Sequence, residues 1–354
     1  MSEQVYFTPS WIGGPQATPE SALPLAGGQL RFGACEIARR DPNTPWAVKR
    51  EVLAIPDLVR VDGARDWLRA LSGPRSQIAG LGFDQPRVMG VINCTPDSFS
   101  DGGERFDADR AVADGLAMWQ AGASILDVGG ESTRPGAEPV AVEEELRRIR
   151  PVVERLAAEG CRVSIDTRNA PVMREAVQLG AAIVNDVSGL THDEDAMATV
   201  AELDVPVILM HIQGTPKTMQ ANPTYDDAAL DIYDELKARV DACREAGIGR
   251  EKIVVDPGIG FGKTVQHNLE LLNRTALFQG LGCPVLLGIS RKSTIGKLAG
   301  GAPAGRDRLP GSLAAAVMGA ARGVQVIRVH DVAETLQALA VWQAGELASA
   351  PTGV

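Results

Sequence analysis

The 354-residue sequence predicts an α/β protein, a (β/α)8 TIM barrel with an N-terminal extension, on three observations. First, eight short apolar runs each reach a polar or charged residue. They are VMGVIN at Asn93, SILDVGGEST at Thr133, VSID at Asp166, AIVND at Asn185, VILMH at His211, IVVD at Asp256, VLLGISRK at Lys292 and VIRVH at His330. Parallel strands covered on both faces read this way, and their C-terminal ends are where such enzymes keep their chemistry. Second, a helical stretch follows each run, at 107–121, 139–159, 171–179, 193–204, 225–247, 266–279, 309–322 and 331–347. Third, the regular part spans roughly 260 residues, the size of one such barrel. A doubly wound open sheet is the alternative; it requires a Gly-rich first turn and rarely uses every strand end.

Punctuation supports the helices. Asn169-Ala-Pro171 places a cap before an early proline, and Gly180, Gly247 and Gly280 stand just beyond helix ends. Residues 1–87 have a different texture and read as an extension of unknown role, ahead of a barrel at 88–349. The first stretch is rich in Pro, Gly and Ser and reads as an arm or loop. LRFGACEI (30–37) alternates weakly, EVLAIPDLVRV (51–61) reads as a broken strand, and ARDWLRALSG (64–73) as a short helix closed by Gly73. A small appended layer or an oligomer contact is the expected use of this segment.

Composition narrows the function. A net charge of −10 disfavours a broad nucleic-acid surface. Five scattered cysteines without a CxxC pair fit reduced thiols rather than disulfides or a zinc site. The N-terminus lacks a basic-then-apolar leader, and no apolar run is long enough to span a bilayer, so the expectation is a cytoplasmic protein.

The motifs sit at the strand ends. NCTPDSFSDGG (93–103) and GGESTRPGA (129–137) are too long and polar for simple turns and read as a pair of closing loops. DPGIGFGKT (256–264) fails the phosphate-loop pattern because Pro257 stands where that pattern needs glycine. Its glycines are expected to let the backbone approach a planar ligand. Asp166, Asn185, Asp256 and Lys292 end four strands and would form a ring suited to a flat, nitrogen-rich heterocycle, each being singly more often structural. Arg328 and His330 alternate on one strand face where barrels often bind phosphate. Pairing of Arg328 with Asp331 or Glu334 is the competing reading. The four histidines show neither HxH nor HExxH spacing, and Ser290 lacks a GxSxG elbow, so zinc hydrolysis and serine nucleophilic catalysis are disfavoured.

With SIDTR, IVNDVSG, LMHIQGTP, VVDPGIGFGKT, GISRKS and RVHDV added to the two loops, the chain resembles the dihydropteroate synthase family over roughly 88–345. Cys94 and Ile259 are modest departures, where Val and Phe are common. The resemblance implies condensation of 6-hydroxymethyl-7,8-dihydropterin diphosphate with 4-aminobenzoate to give 7,8-dihydropteroate and diphosphate, assisted by Mg²⁺, in a homodimer. It implies that Asp166, Asn185, Asp256 and Lys292 hold the pterin, and that Thr133, Arg328 and His330 hold the diphosphate. Asn93 would ligate Mg²⁺. Phe99, Pro135, Phe261 and Ser290 would form the aminobenzoate pocket, while Asp101, Thr133, Arg134 and Lys292 would serve the reaction. Neutralised diphosphate leaves, a pterin-methylene cation forms, and the arylamine attacks, so no enzyme nucleophile is needed. A corrinoid-dependent pterin methyltransferase has little use for a diphosphate grip. A non-catalytic paralogue would be expected to lose the loop motifs, and both are present.

Overall fold

The computed structural model describes residues 3–95, 108–134, 136–301 and 303–347. Its N-terminal part is a small antiparallel sheet of β1 (Gln4–Gly13), β2 (Leu23–Pro24), β3 (Arg31–Arg40) and β4 (Val48–Ala54). β3 is central, with β1 along one edge and β2 and β4 along the other. The expected arm is therefore largely a ten-residue strand. Pro9 misleads the reading: β1 pairs on one side only, and an edge tolerates a residue without an N–H. The short helices α1 (Ile55–Leu58) and α2 (Ala64–Ser72) follow, and Phe7, Phe32, Ile37, Leu58 and Leu71 form the core of this layer.

The barrel then runs as β5 (Arg87–Asn93), α3 (Ala108–Gln120), β6 (Ile125–Gly129), α4 (Val142–Ala158), β7 (Val163–Asp166), α5 (Ala170–Gln178), β8 (Ile183–Asp186), α6 (Ala196–Leu203) and β9 (Val207–Met210). It continues as α7 (Ala228–Glu245), β10 (Ile253–Asp256), α8 (Val265–Asn273), β11 (Leu286–Leu287), α9 (Ser293–Leu298), α10 (Leu309–Ala320), β12 (Val326–Val329) and α11 (Val332–Glu346). The eight strands pair in parallel in the order β10-β9-β8-β7-β6-β5-β12-β11. A parallel bridge between Val255 and Val285 joins the two ends, so the sheet closes on itself. The predicted barrel is thus the observed one.

Two expectations about punctuation change. The helix expected over 266–279 ends at Asn273 and gives way to a 3₁₀ segment, Thr275–Leu281, where the Thr275 hydroxyl donates back to the Leu271 carbonyl at 2.8 Å. Gly280 lies inside that segment and admits the appended layer: a Cβ there would stand 2.1 Å from the Trp67 ring. Trp67 stacks on Tyr233 of α7 with centroids 5.2 Å apart, and Tyr6 meets the same ring edge-on. Charge seals the seam, with Arg40 of β3 paired to Asp231 and Asp234 of α7.

Inside the barrel, the period of two sorts side chains by depth. Met89, Ile125, Ile183, Ile208, Val254, Leu286 and Val326 form an apolar floor, which Ile78, Leu81 and Phe83 close from below. Two residues further along these strands come Asp127, Asn185, Asp256 and Arg328, so the interior turns from oily to charged toward the C-terminal ends. All five cysteines are buried free thiols. Among the described residues no helix is long and apolar enough to cross a membrane.

Candidate active site

Arg328 organises the charged part of the interior. Its Nε donates to Asp127 Oδ2 at 2.6 Å and its terminal nitrogen to Asp166 Oδ2 at 2.8 Å. Asn185 Nδ2 donates to the same Asp127 oxygen at 3.0 Å. The competing pairing is not formed, because Arg291 takes Asp331 and Arg306 takes Glu334. Arg328 instead reaches across the barrel from β12 to β6 and β7, among residues expected to hold a heterocycle. Burial opposes its charge, but the two carboxylates outweigh that and hold the guanidinium firmly protonated. Burial pushes the Asp166 carboxyl up to about 7, against the pull of Arg328. Asp127 is fully buried, and its Oδ1 has no hydrogen-bond partner among the described residues. A buried carboxylate oxygen left bare is costly unless a ligand completes it.

The loop after β10 supplies the second wall. Asp256 Oδ1 accepts the Gly258 N–H at 2.7 Å, which curls the chain back over the strand end. Gly258 has φ +68°, and a Cβ there would lie 1.9 Å from the His211 carbonyl oxygen, so only glycine fits. Gly260, at φ +86°, leaves room for Lys292, whose Cδ would be 2.9 Å from an added Cβ. The close approach these glycines permit within the protein is thus to His211 and Lys292. Lys292 stands at the N-cap of α9, donates to the Ile259 carbonyl, and sits 4.1 Å over the Phe261 ring. Burial pushes its ammonium down to about 7, with Asp256 pulling the other way.

Between these walls lie Ser290 and His330. The Ser290 oxygen accepts the His330 backbone N–H at 3.2 Å and lies 3.0 Å from Nδ1. Burial, reinforced by Arg328 and Arg291, pushes His330 down to about 4, so the imidazole is neutral near pH 7. A hydroxyl donating to Nδ1 leaves the N–H on Nε2. With Ser290 as the donor, His330 presents a neutral N–H to the site rather than a positive charge. Arg291 has φ +57°, costly for a non-glycine residue, and is held there by its own fork on Asp331 and by its N–H on Ser312 Oγ at 2.9 Å. That left-handed residue re-aims the chain between Ser290 and Lys292.

At the rim, Asn93 ends β5 opposite Gly129, where an added Cβ would stand 3.4 Å from the Asp166 Cβ. Thr133 and the exposed Arg134 lie on the loop after β6, and Arg134 is near enough to act on His330. The base of that loop is clamped by Glu131, which accepts from Arg168 at 2.7 Å and from the Val140 N–H at 3.2 Å. Phe99, Asp101 and Pro135 lie outside the described residues. The structure thus gathers Asp166, Asn185, Asp256, Lys292, Phe261, Ser290, Arg328 and His330 at one end of the barrel. Sequence reasoning missed Asp127, Glu131, Lys263 and Arg291. A signal for Asp127 existed, since it is the one charged residue in the apolar run SILDVG. His211 is buried between Glu235 and Lys263.

Comparison with known proteins agrees with this arrangement. The profile of the family described as "Pterin binding enzyme" matches residues 89–330. The dihydropteroate synthase of Escherichia coli K12 is 48% identical over 270 residues, covering 76% of this chain and 95% of that protein. A probable bifunctional folylpolyglutamate synthase/dihydropteroate synthase of Haloferax volcanii is 47% identical over 321 residues, 90% of this chain and 38% of that protein. The structure of Xanthomonas albilineans dihydropteroate synthase with 4-aminobenzoic acid superimposes with a TM-score of 0.73 at 47% identity, covering 78% of this chain and 99% of that one. This chain belongs to the pterin-binding enzymes, in the dihydropteroate synthase family.

Proposed function

We propose that the barrel of residues 88–349 joins 6-hydroxymethyl-7,8-dihydropterin diphosphate to 4-aminobenzoate, with residues 1–87 as an appended structural layer. The observation that carries this reading is the ring of buried Asp127, Asn185 and Asp256 and partly buried Asp166 and Arg328 at the C-terminal end of the strands. Such a ring offers acceptors for the ring N–H and amino groups of a pterin, and donors for its nitrogens and carbonyl.

In this reading Asp127, Asp166, Asn185 and Asp256 fix the pterin, and Lys292 donates to it from the loop side. Arg328 binds both aspartates and places positive charge near the reacting carbon's leaving group. His330 donates from Nε2 to a diphosphate oxygen, held in that tautomer by Ser290, while Thr133 and Arg134 approach the same anion from the rim. The carbon–oxygen bond to diphosphate breaks with its electron pair on oxygen. The aminobenzoate nitrogen, held against Phe261 and Ser290, forms the new carbon–nitrogen bond and then sheds a proton. Phe99, Asp101 and Pro135, with Thr133, would close over the site and keep water from the methylene carbon.

The residues fit a Mg²⁺ ion that arrives with the diphosphate. Among the described residues no group of three His, Cys, Asp or Glu side chains stands close enough to hold a metal. Mg²⁺ usually takes one or two protein oxygens beside phosphate and water oxygens, and the Asn93 amide supplies one. Bound there, it would neutralise charge on the departing diphosphate. The protein is proposed to act in the cytoplasm as a homodimer through its late helices, where Met318 of α10 and Val341 of α11 are exposed. The deciding measurement is diphosphate release with both substrates and Mg²⁺. Release indifferent to 4-aminobenzoate would refute the assignment.

A further inference from the structure

Phe261 lies between two glycines of left-handed conformation, Gly260 at φ +86° and Gly262 at φ +63°. A residue so flanked has little backbone preference to keep it in place, so its position depends on what the surrounding loop is tied to. The loop is tied at successive carbonyls. Lys292 donates to Ile259, Gln220 Nε2 to Gly260 at 2.8 Å, Lys263 Nζ to Phe261 at 2.8 Å, and the Tyr225 hydroxyl to Gly262 at 2.7 Å. Of these anchors, Lys263 is the one that holds Phe261 itself.

Lys263 is only 2% exposed and has no part in the reaction as described above. Its Nζ meets three acceptors: the Phe261 carbonyl, His211 Nδ1 at 2.9 Å and the His211 carbonyl at 3.4 Å. Three acceptors suit an ammonium's three N–H bonds, while burial pushes the Lys263 pKa well down and Asp256 pulls the other way, so the donor role rests on the geometry of the three contacts. With Lys263 as the donor to Nδ1, the His211 proton sits on Nε2, which lies 3.1 Å from Glu235 Oε2 on α7. Burial and the neighbouring Lys263 both depress His211, consistent with a neutral ring accepting at Nδ1. The hydrogen bond from His211 in turn holds the Glu235 carboxylate below its ordinary range. A relay of Glu235, His211 and Lys263 thus runs from the half-exposed face of α7 to the Phe261 backbone.

We propose that Lys263, backed by His211 and Glu235, is a positioning residue for the aminobenzoate side of the site. It fixes where the Phe261 ring stands against Lys292, and this rests on the reading of Phe261 given under the proposed function. Apart from Lys292, the pterin side is carried by side chains on the strands themselves, so the relay acts chiefly on one substrate. Removing the ammonium leaves the Phe261 carbonyl and His211 Nδ1 without their donor, and the loop moves to recover one.

The test is steady-state kinetics on Lys263→Met, with calorimetric binding of a phosphate-free pterin as control. The KM for 4-aminobenzoate is expected to rise about tenfold, with kcat and the pterin Kd within about twofold, since losing a contact made equally in ground and transition states raises KM alone and the split isolates one substrate. The Glu235→Ala variant, on a half-exposed helix position, is expected to raise the same KM about threefold, and Glu235→Gln, which keeps an acceptor for Nε2–H, to restore it. An unchanged 4-aminobenzoate KM in Lys263→Met, or equal rises in that KM and the pterin Kd, overturns the proposal. If Lys263→Met does not fold, the Glu235 pair decides: no difference between Ala and Gln overturns it. Failure of the functional reading is told apart because it shows in the wild-type protein, as diphosphate release indifferent to 4-aminobenzoate.

Discussion

Two arginines in this molecule each stand between two aspartates, and their surroundings give them opposite jobs. Arg40 joins β3 to α7 through Asp231 and Asp234, with Tyr6 donating to the same Asp234 at 2.8 Å and Gln4 completing the guanidinium. Arg328 joins β12 to β6 and β7 through Asp127 and Asp166. The seam groups satisfy one another and close the surface between the appended layer and the barrel. The interior cluster leaves Asp127 Oδ1 bare, with Asp256 and Lys292 ranged beside it. A charge cluster that completes itself fastens structure together, and one that leaves donors and acceptors unfilled is prepared for a ligand.

Breaking the interior pair has the largest expected effect. Arg328→Ala should lower kcat/KM by about 10²–10³-fold, the range for losing one preorganised donor. Because the guanidinium lies on Asp127 and Asp166, binding of a phosphate-free pterin should weaken as well, which calorimetry would show. A loss confined to the diphosphate would place Arg328 differently in the bound state.

The second effect is on pH dependence. Asp166 must be ionised to accept from the pterin, and its pKa is raised to about 7, so activity falls as pH drops below that value. Lys292 must be protonated to donate, and its pKa is lowered to about 7, so activity also falls above it. The kcat/KM profile for the pterin substrate should therefore be a narrow bell, with Asp166 on the acid limb and Lys292 on the alkaline limb. A flat profile from about pH 6 to 8.5 would argue against both roles.

The seam should respond in stability rather than rate. Arg40→Ala is expected to cost about 1–3 kcal/mol in urea unfolding, through two carboxylates left without their partner, with kcat/KM unchanged. A loss of activity at unchanged stability would mean that the appended layer bears on the site. The smallest effect belongs to an exposed pair: Arg174→Ala, which removes the partner of Glu202, should change stability by less than about 0.5 kcal/mol.

Much of this was legible in the chain. The barrel followed from the recurrence of apolar runs, because burial on both faces removes polar residues from a parallel strand. Asp166, Asn185, Asp256 and Arg328 were legible as residues near strand ends for the same reason, whereas Lys292, also read as a strand end, stands beyond β11 at the N-cap of α9. Asp127 was harder because it interrupts a run rather than ending it. Lys263 was masked by its motif, since a lysine after glycine invites a phosphate-binding reading. Arg291 looks like any loop arginine until its left-handed backbone is seen. The N-terminal strand was hidden by Pro9, which is compatible with an edge but not with the middle of a sheet.

Local sequence thus determined the strands, the order of the barrel and the residue types at its upper rim, because those depend on periodicity and burial along one stretch of chain. It did not determine which charges meet. Arg328 had Asp331 and Glu334 close by in sequence, yet it pairs with carboxylates 201 and 162 positions away because barrel closure brings β12 beside β5 and within reach of β6 and β7. The same holds for Lys263 and His211, 52 positions apart, and for Arg40 against α7. Pairings between distant segments are set by sheet register and helix packing, and those exist only once the chain has closed.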